Sequence, residues 1–406
     1  MEIAVVGAGL SGLAAGVELT KRGHSVMILE GSDGPGGRVR TDEVDGHLLD
    51  RGFQILLGAY PEAQAMLDYA ELDMRSFSPG AMVRHAGGFH RIGDPLREPA
   101  KLLETVKAPI GSPVDKAKVL AFRRAVGQGS LAELWRRPET TAMERLQQAG
   151  FSSSMIERFL GPLFAGITLD PTLGGSSRVL EFVFRMLSAG DAMVPANGMG
   201  AISTHLAGLL PEGALRLSAP VDRVSANEVI LQSGEKVQAA AVVVATGMSE
   251  AARLTTTEDR GWRSVTSVWF KADEPPISEP VLVLNGSGSG PINSMAVMSQ
   301  VSDRYASEGS STIVVSAPTI EPGLVEGFQV QLGEWFGTAS TNWEVLRVDE
   351  IHRAQPSHPV GHERSGAYQT DANIWVCGDH ARDASINGAL GSGRALATAL
   401  AGRQVA

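Results

Sequence analysis

A short apolar run near the amino terminus, Ile3-Ala4-Val5-Val6, passes directly into Gly7-Ala8-Gly9-Leu10-Ser11-Gly12, and Leu13-Ala14-Ala15-Gly16-Val17-Glu18-Leu19 follows with helical apolar spacing. An uninterrupted apolar run of this length reads as a strand buried on both faces of a parallel sheet. Ser25-Val26-Met27-Ile28-Leu29-Glu30 then reads as a second strand ending in a carboxylate, so strand, glycine turn, helix and strand form a βαβ start. Each glycine has a separate reason. Gly7 permits a tight turn, Gly9 lets the backbone approach a pyrophosphate, and Gly12 lets helix and strand pack closely. Leu10 and Ser11 open the helix, whose unpaired N–H groups and positive dipole end stabilise an anion. Glu30 lies about 20 residues beyond the turn, where an acid accepts hydrogen bonds from ribose hydroxyls. The pattern specifies a dinucleotide site in a doubly wound α/β domain.

The 406 residues suffice for two domains, or for one domain interrupted by another. Hydrophobic residues make up 43% and charged residues 20%, a globular composition. The net charge of -10, with no long basic run, excludes nucleic acid as an expected partner. One cysteine, Cys377, rules out an internal disulfide, a thiolate zinc site and a cysteine-ligated iron–sulfur cluster, and no metal is expected. A reducing cytoplasm suits this. Glu2 and the glycines of Ile3–Val17 argue against an export signal, and no apolar run is long enough to span a bilayer. Peripheral contact with a membrane stays open.

Further glycine-rich segments narrow the cofactor. Gly34-Pro35-Gly36-Gly37-Arg38 follows the second strand and resembles the GxGGR run of the flavin amine oxidase, protoporphyrinogen oxidase and phytoene desaturase superfamily. The resemblance implies FAD, with Gly36 and Gly37 along it and Arg38 neutralising phosphate charge or lying near the flavin. Leu48-Leu49-Asp50-Arg51-Gly52-Phe53-Gln54 resembles the segment that passes the flavin in these enzymes, with Gly52, Phe53 and Gln54 as contacts, although Asp50 reads equally as a turn residue. Leu215–Leu217 and Val221–Val224 read as a strand and its continuation, and Glu228–Leu231 completes a small antiparallel unit. Ala241–Gly247 reads as a further strand of the parallel sheet. By resemblance Val224 supplies a backbone contact to adenine, and Ala245, Thr246 and Gly247 close over the cofactor.

Near the carboxy terminus, Ile374–Cys377, Gly378-Asp379 and Ser385–Arg394 resemble the closing FAD motif. Asp379, beside Gly378, would bind ribityl or phosphate-side hydroxyls. A helix beginning near Gly388, with Asn387 and Ala389, would point its N–H groups at the flavin edge that gains negative charge on reduction. Cys377 reads as a small buried hydrophobe and His380 as a solvated loop residue.

The resemblance implies a Rossmann-like FAD domain of the glutathione reductase type, residues 1–70, 196–250 and 355–406, with an inserted α+β substrate domain, residues 71–195 and 251–354. Helical spacing over Pro113–Gly127, Ala142–Gly150 and Ser154–Ala165 predicts a helical cap. Val265–Phe270, Val281–Leu284, Thr312–Val315 and Phe328–Leu332 predict strands of a sheet floor. Phe159–Phe164 and Val179–Leu187 offer Phe and Met either to a substrate tunnel or to the core. Pro195–Ile202 resembles the PxxGM segment that leads back to the FAD domain. Amine oxidases of the superfamily carry a lysine on a strand before an aromatic pair. Aligning that pair on Trp269-Phe270 places Val265 or Thr266 there, and Ser385 replaces an aromatic cage residue. Lys271 reads as a strand-end surface charge. The expectation is non-covalent FAD, hydride transfer with a small apolar or amphipathic substrate, and no assigned catalytic side chain or electron acceptor. An amine oxidase and a flavin-binding protein without turnover are the alternatives.

Overall fold

The computed structural model describes residues 1–371 and 373–402; residues 372 and 403–406 of the expected carboxy-terminal FAD segment lie outside the described residues. A six-stranded sheet runs in the order Leu215–Arg216, Ser25–Leu29, Glu2–Val6, Ala241–Val244, Ile374–Cys377 and Ala367–Asp371. Its first five strands are parallel and Ala367–Asp371 is an antiparallel edge. Ile3 to Val6 are buried because the central strand is covered on both faces, which is why it reads as a continuous apolar run. The helix Leu10–Lys21 covers one face, and the closing helix Ile386–Gly402 packs across it. A Cβ on Gly393 would stand 2.3 Å from the Ser11 carbonyl oxygen, so only glycine permits this crossing.

A second, seven-stranded sheet has the order Glu344–Pro356, Trp262–Ala272, Ser311–Ala317, Ser294–Val297, Leu282–Asn285, Ala81–His85 and Gly88–Ile92. Above it stand the helices Leu102–Lys107, Pro113–Gly127, Ala142–Gln148, Gly161–Thr168 and Ser177–Ala189. Capping boxes start two of them: Ser112 with Asp115, and Thr141 with Glu144. A π-helical turn, Ile156–Leu160, precedes Gly161–Thr168. Phe122 and Phe184 meet edge to face at 4.9 Å inside this layer, an arrangement favoured by the ring quadrupoles.

Three local readings are corrected. Phe328–Leu332 is helical, within Leu324–Phe336. Phe-Gln-Val-Gln-Leu alternates like a strand, but Leu324, Phe328 and Leu332 are buried at a spacing of four while Val330 is exposed. Residues 81–92, inside the segment expected to be largely helical, form a hairpin of the floor sheet, turned by Ala86 and Gly87 at positive φ. Leu215–Arg216 does not join the antiparallel unit. It pairs in parallel with Ser25–Leu29, and the unit is Val221–Ser225, Glu228–Leu231 and Lys236–Gln238.

Candidate active site

A cavity of about 1300 Å³ lies between the two sheets and the helical layer. At one end it is walled by Gly7, Gly9, Leu10, Ser11 and Glu30, then by Gly36, Gly37, Arg38, Gly52, Phe53 and Gln54. Ala245, Thr246, Gly247, Gly378, Asp379 and Ala389 complete this wall. The other end is bounded by Met155, Phe159, Phe164, Phe182, Phe184 and Leu187 from the helical layer. Val265, Leu282, Leu284 and Ile351 border it from the floor sheet.

At the glycine turn, the helix Leu10–Lys21 begins at Gly9 without a side-chain cap and without an acid in its first turn. A Cβ on Gly9 would meet nothing within 4 Å, so the backbone there faces open space. Thr246 Oγ1, on the same wall, is buried and finds no partner among the described residues. An uncapped helix end beside an approachable backbone and an unsatisfied hydroxyl fits a diphosphate. Glu30 is held beside the turn: its Oε2 accepts from the Ala8 N–H at 2.7 Å, and its Oε1 accepts from the Ser32 N–H at 2.9 Å and the Ser32 hydroxyl at 2.8 Å.

A chain of ionic groups continues along the wall. Arg38 pairs with Asp379 at 2.7 Å, donates to the Ala354 carbonyl at 2.9 Å and lies 5.5 Å from the Trp262 ring centre. The Gln54 amide donates to the carbonyls of Arg38 and Arg51, each at 2.8 Å, tying the two glycine-containing segments together. Arg347 reaches from the floor sheet to Asp42, Asp349 and the Asp50 carbonyl. Asp50 itself lies behind the wall, fully buried. It accepts from Thr41, Tyr305 and the Met199 N–H, and burial still pushes its carboxyl up to about 6.

Four expected contacts do not line the cavity. Gly12 packs inward, where a Cβ would stand 2.0 Å from the Gly7 carbonyl oxygen. Val224 lies in the antiparallel unit, paired with Val229. Asn387 is buried and accepts from the Glu62 N–H at 3.1 Å. The Gly388 N–H is engaged by the Ser385 hydroxyl at 3.0 Å, and the closing helix begins at Ile386. His380 is buried rather than solvated, and burial lowers its imidazole to about 4. Cys377 is buried, which pushes its thiol up to about 12. Lys271 stands at a strand end, 3.8 Å from Glu344 and off the cavity wall, whereas Val265 and Ser385 are on it.

Sequence reasoning missed a loop. Leu169 and Leu173, both on the cavity wall, have φ of 52° and 51°, a strained region for branched residues. Buried Asp170 holds the loop through the Thr172 and Gly175 N–H groups and pairs with Arg263 at 2.9 Å. Gln355, likewise without a local sequence signal, donates its amide to the Ala384 carbonyl at 2.6 Å, just ahead of the closing helix. Asp-Pro-Thr signals a turn, but its partner Arg263 is remote in the chain and carries no local mark.

The family model for flavin containing amine oxidoreductases matches residues 10–401. Protoporphyrinogen oxidase 2 (chloroplastic/mitochondrial) of Arabidopsis thaliana is 27% identical over 175 residues, 43% of this chain and 32% of that one. The 15-cis-phytoene desaturase of Narcissus pseudonarcissus is 40% identical over 65 residues, 16% of this chain and 11% of that one. The matched segments thus span at most about a third of these relatives. A solved oxidoreductase from Methanosarcina mazei shares the fold, with a TM-score of 0.76 at 17% identity over 98% of this chain and 99% of that one. The uncapped helix end, the Glu30 carboxylate and a family match over nearly the whole chain lead to one conclusion: this chain belongs to the flavin containing amine oxidoreductases.

Proposed function

We propose that this chain transfers a hydride between a carbon of an apolar or amphipathic substrate and its flavin, in the manner of a desaturase or oxidase. One observation carries the reading: a single cavity joins the glycine turn and its ionic wall to a chamber walled by Phe159, Phe164, Phe182 and Phe184. FAD, when bound, supplies the two-electron chemistry.

The chain's own residues bind and orient. The amino end of Leu10–Lys21 receives the diphosphate and Glu30 accepts from the ribose. Arg38 and Asp379 offer charge and hydrogen bonds along the middle of the cofactor. In this division residues 1–70, 196–250 and 355–406 hold FAD, and residues 71–195 and 251–354 hold the substrate, the hairpin Ala81–Ile92 serving the floor. The phenylalanines exclude water and place a substrate carbon, so that catalysis rests on positioning rather than on a side-chain acid or base. With Val265 or Thr266 aligned where amine oxidases would use a lysine, and Ser385 where they would use an aromatic ring, the presence of Val265 and Ser385 on the cavity wall favours this reading over an amine substrate. A cytoplasmic location suits the one buried thiol.

The test is anaerobic bleaching of the flavin absorbance at a fixed substrate concentration. A polyene hydrocarbon or a porphyrinogen should bleach the yellow holoenzyme, while primary amines should not. Bleaching by amines alone would overturn the proposal.

A further inference from the structure

We propose that the face built from Leu96 to Arg124 docks on an anionic lipid bilayer and that the cavity opens into the docked face. Six large apolar side chains are exposed there: Leu96, Leu102, Leu103, Val106, Val114 and Leu120. They fall on two neighbouring helices, Leu102–Lys107 and Pro113–Gly127, and on the loop ahead of them. Leu102, Leu103 and Val106 share one side of the first helix, and Val114, Ala117 and Leu120 recur at intervals of three on the second. Grouped exposure of this kind marks an interaction surface, whereas single exposed apolar residues elsewhere, such as Val330, need no explanation.

Charge selects the occupant. Against a whole-chain net charge of -10, the stretch from Arg97 to Arg124 has seven Lys or Arg and three Asp or Glu. The acids are engaged: Glu98 with Arg91 at 3.2 Å, Glu104 with Lys101 at 3.5 Å, and Asp115 buried in its helix cap; of the cations, Arg97 pairs with Asp191 and Arg123 with Asp94, so the excess rests on Lys107, Lys116, Lys118 and Arg124. Lys107 and Arg124, both exposed, enter no ion pair among the described residues. Apolar side chains interleaved with long cationic ones suit the interfacial zone of a bilayer, where the stems lie in the acyl boundary and the charges meet lipid phosphates.

The cavity ties this surface to the chemistry. Leu102, Val106 and Leu120 are at once exposed and part of the cavity lining, so the mouth lies within the apolar patch. An apolar substrate dissolves in the bilayer rather than in water. A mouth seated on the membrane therefore receives it without an aqueous step. This route of entry rests on the apolar-substrate reading above, but docking itself does not.

Flotation of the yellow holoenzyme tests the proposal without any turnover, so a failed substrate assay leaves the result standing. The vesicles are phosphatidylcholine alone or with about one part in three phosphatidylglycerol. The variant Leu96→Glu/Leu103→Glu/Val114→Glu changes three exposed residues that do not line the cavity, and Val330→Glu is the control. Wild type and the control should float with anionic vesicles. Salt raised to about 0.5 M should reduce the floating fraction by screening, and the triple variant should bind about tenfold or more weakly. Wild-type protein remaining in the lipid-free fraction, or a triple variant that floats as well as wild type, would overturn the proposal. A wild-type dimer that the triple variant dissociates, with no flotation by either, would assign the face to a second copy of the chain instead.

Discussion

Replacing Glu30 by alanine tests the nucleotide site at its most specific point. The carboxylate is half-buried on the cavity wall and already oriented by the Ala8 N–H and by Ser32, so it meets a ribose hydroxyl without reorganisation. A hydrogen bond to a charged acceptor contributes about 1.5–3 kcal/mol, which corresponds to roughly a 10- to 150-fold change in Kd. Partial exposure lets water compensate in the free protein, so the lower half of this range is expected. The loss of the Ala8 and Ser32 bonds affects free and bound protein alike and largely cancels from the binding difference. Apoprotein is prepared by removing flavin under mild acid and salt, then titrated with FAD while flavin fluorescence is followed. Thermal melts of the two apoproteins check that both are folded. Weakening of about tenfold or more is expected for Glu30→Ala, with Glu30→Gln intermediate. A Kd within about twofold of wild type, roughly 0.4 kcal/mol, would show that Glu30 does not face the ribose.

Asp50 should impose a pH slope on stability. Its folded carboxyl titrates near 6 against an ordinary 3.8, so the folded state holds the proton more tightly, and this contribution fades as pH rises from about 4 to 6. Urea denaturation of the FAD-saturated protein should show wild type losing roughly 2 kcal/mol relative to Asp50→Asn across that window, and parallel pH profiles would refute the assignment. Acid precipitation should leave FAD in the supernatant, because the one thiol, Cys377, is buried in a strand and lies off the cavity wall; yellow colour in the pellet would contradict this. Lys271→Met should leave the rate of flavin reoxidation by oxygen, followed by stopped flow, within about threefold of wild type, under about 0.7 kcal/mol of barrier. A tenfold loss would place that lysine at the flavin.

The nucleotide half was legible because its determinants are local. A glycine turn between an apolar strand and a helix needs no distant partner to be recognised, and the acid ending the second strand lies within the same βαβ unit. The substrate half was read less well, for a physical reason. Phe328-Gln-Val-Gln-Leu satisfies both a period of two and a spacing of four, and only the packed side reveals which face is buried. Leu215–Arg216 looked contiguous with its neighbours in sequence, yet the open edge of Ser25–Leu29 took it into the parallel sheet. Asp170 and Arg263 show the same limit, since an ion pair spanning two layers of the fold leaves no pattern in either segment. Gly388 was read as opening a helix toward the flavin, whereas its lack of a side chain answers to packing: a Cβ there would run into the Asp383 carbonyl.

The crossing of the closing helix over the first one bears on how the molecule assembles as it is synthesised. The strand Glu2–Val6 has only Ser25–Leu29 as a nearby neighbour; its other neighbour is Ala241–Val244, and the helix that covers Ser11 and Ala14 arrives only with Ile386–Gly402. An early element of this sequence thus waits for a much later one in the order of synthesis. Contacts so distant in sequence form slowly, because the chain between them must be closed before any burial offsets the entropy. Until then the first strand and helix hold apolar surface without cover, which is the condition under which nascent chains aggregate or recruit chaperones.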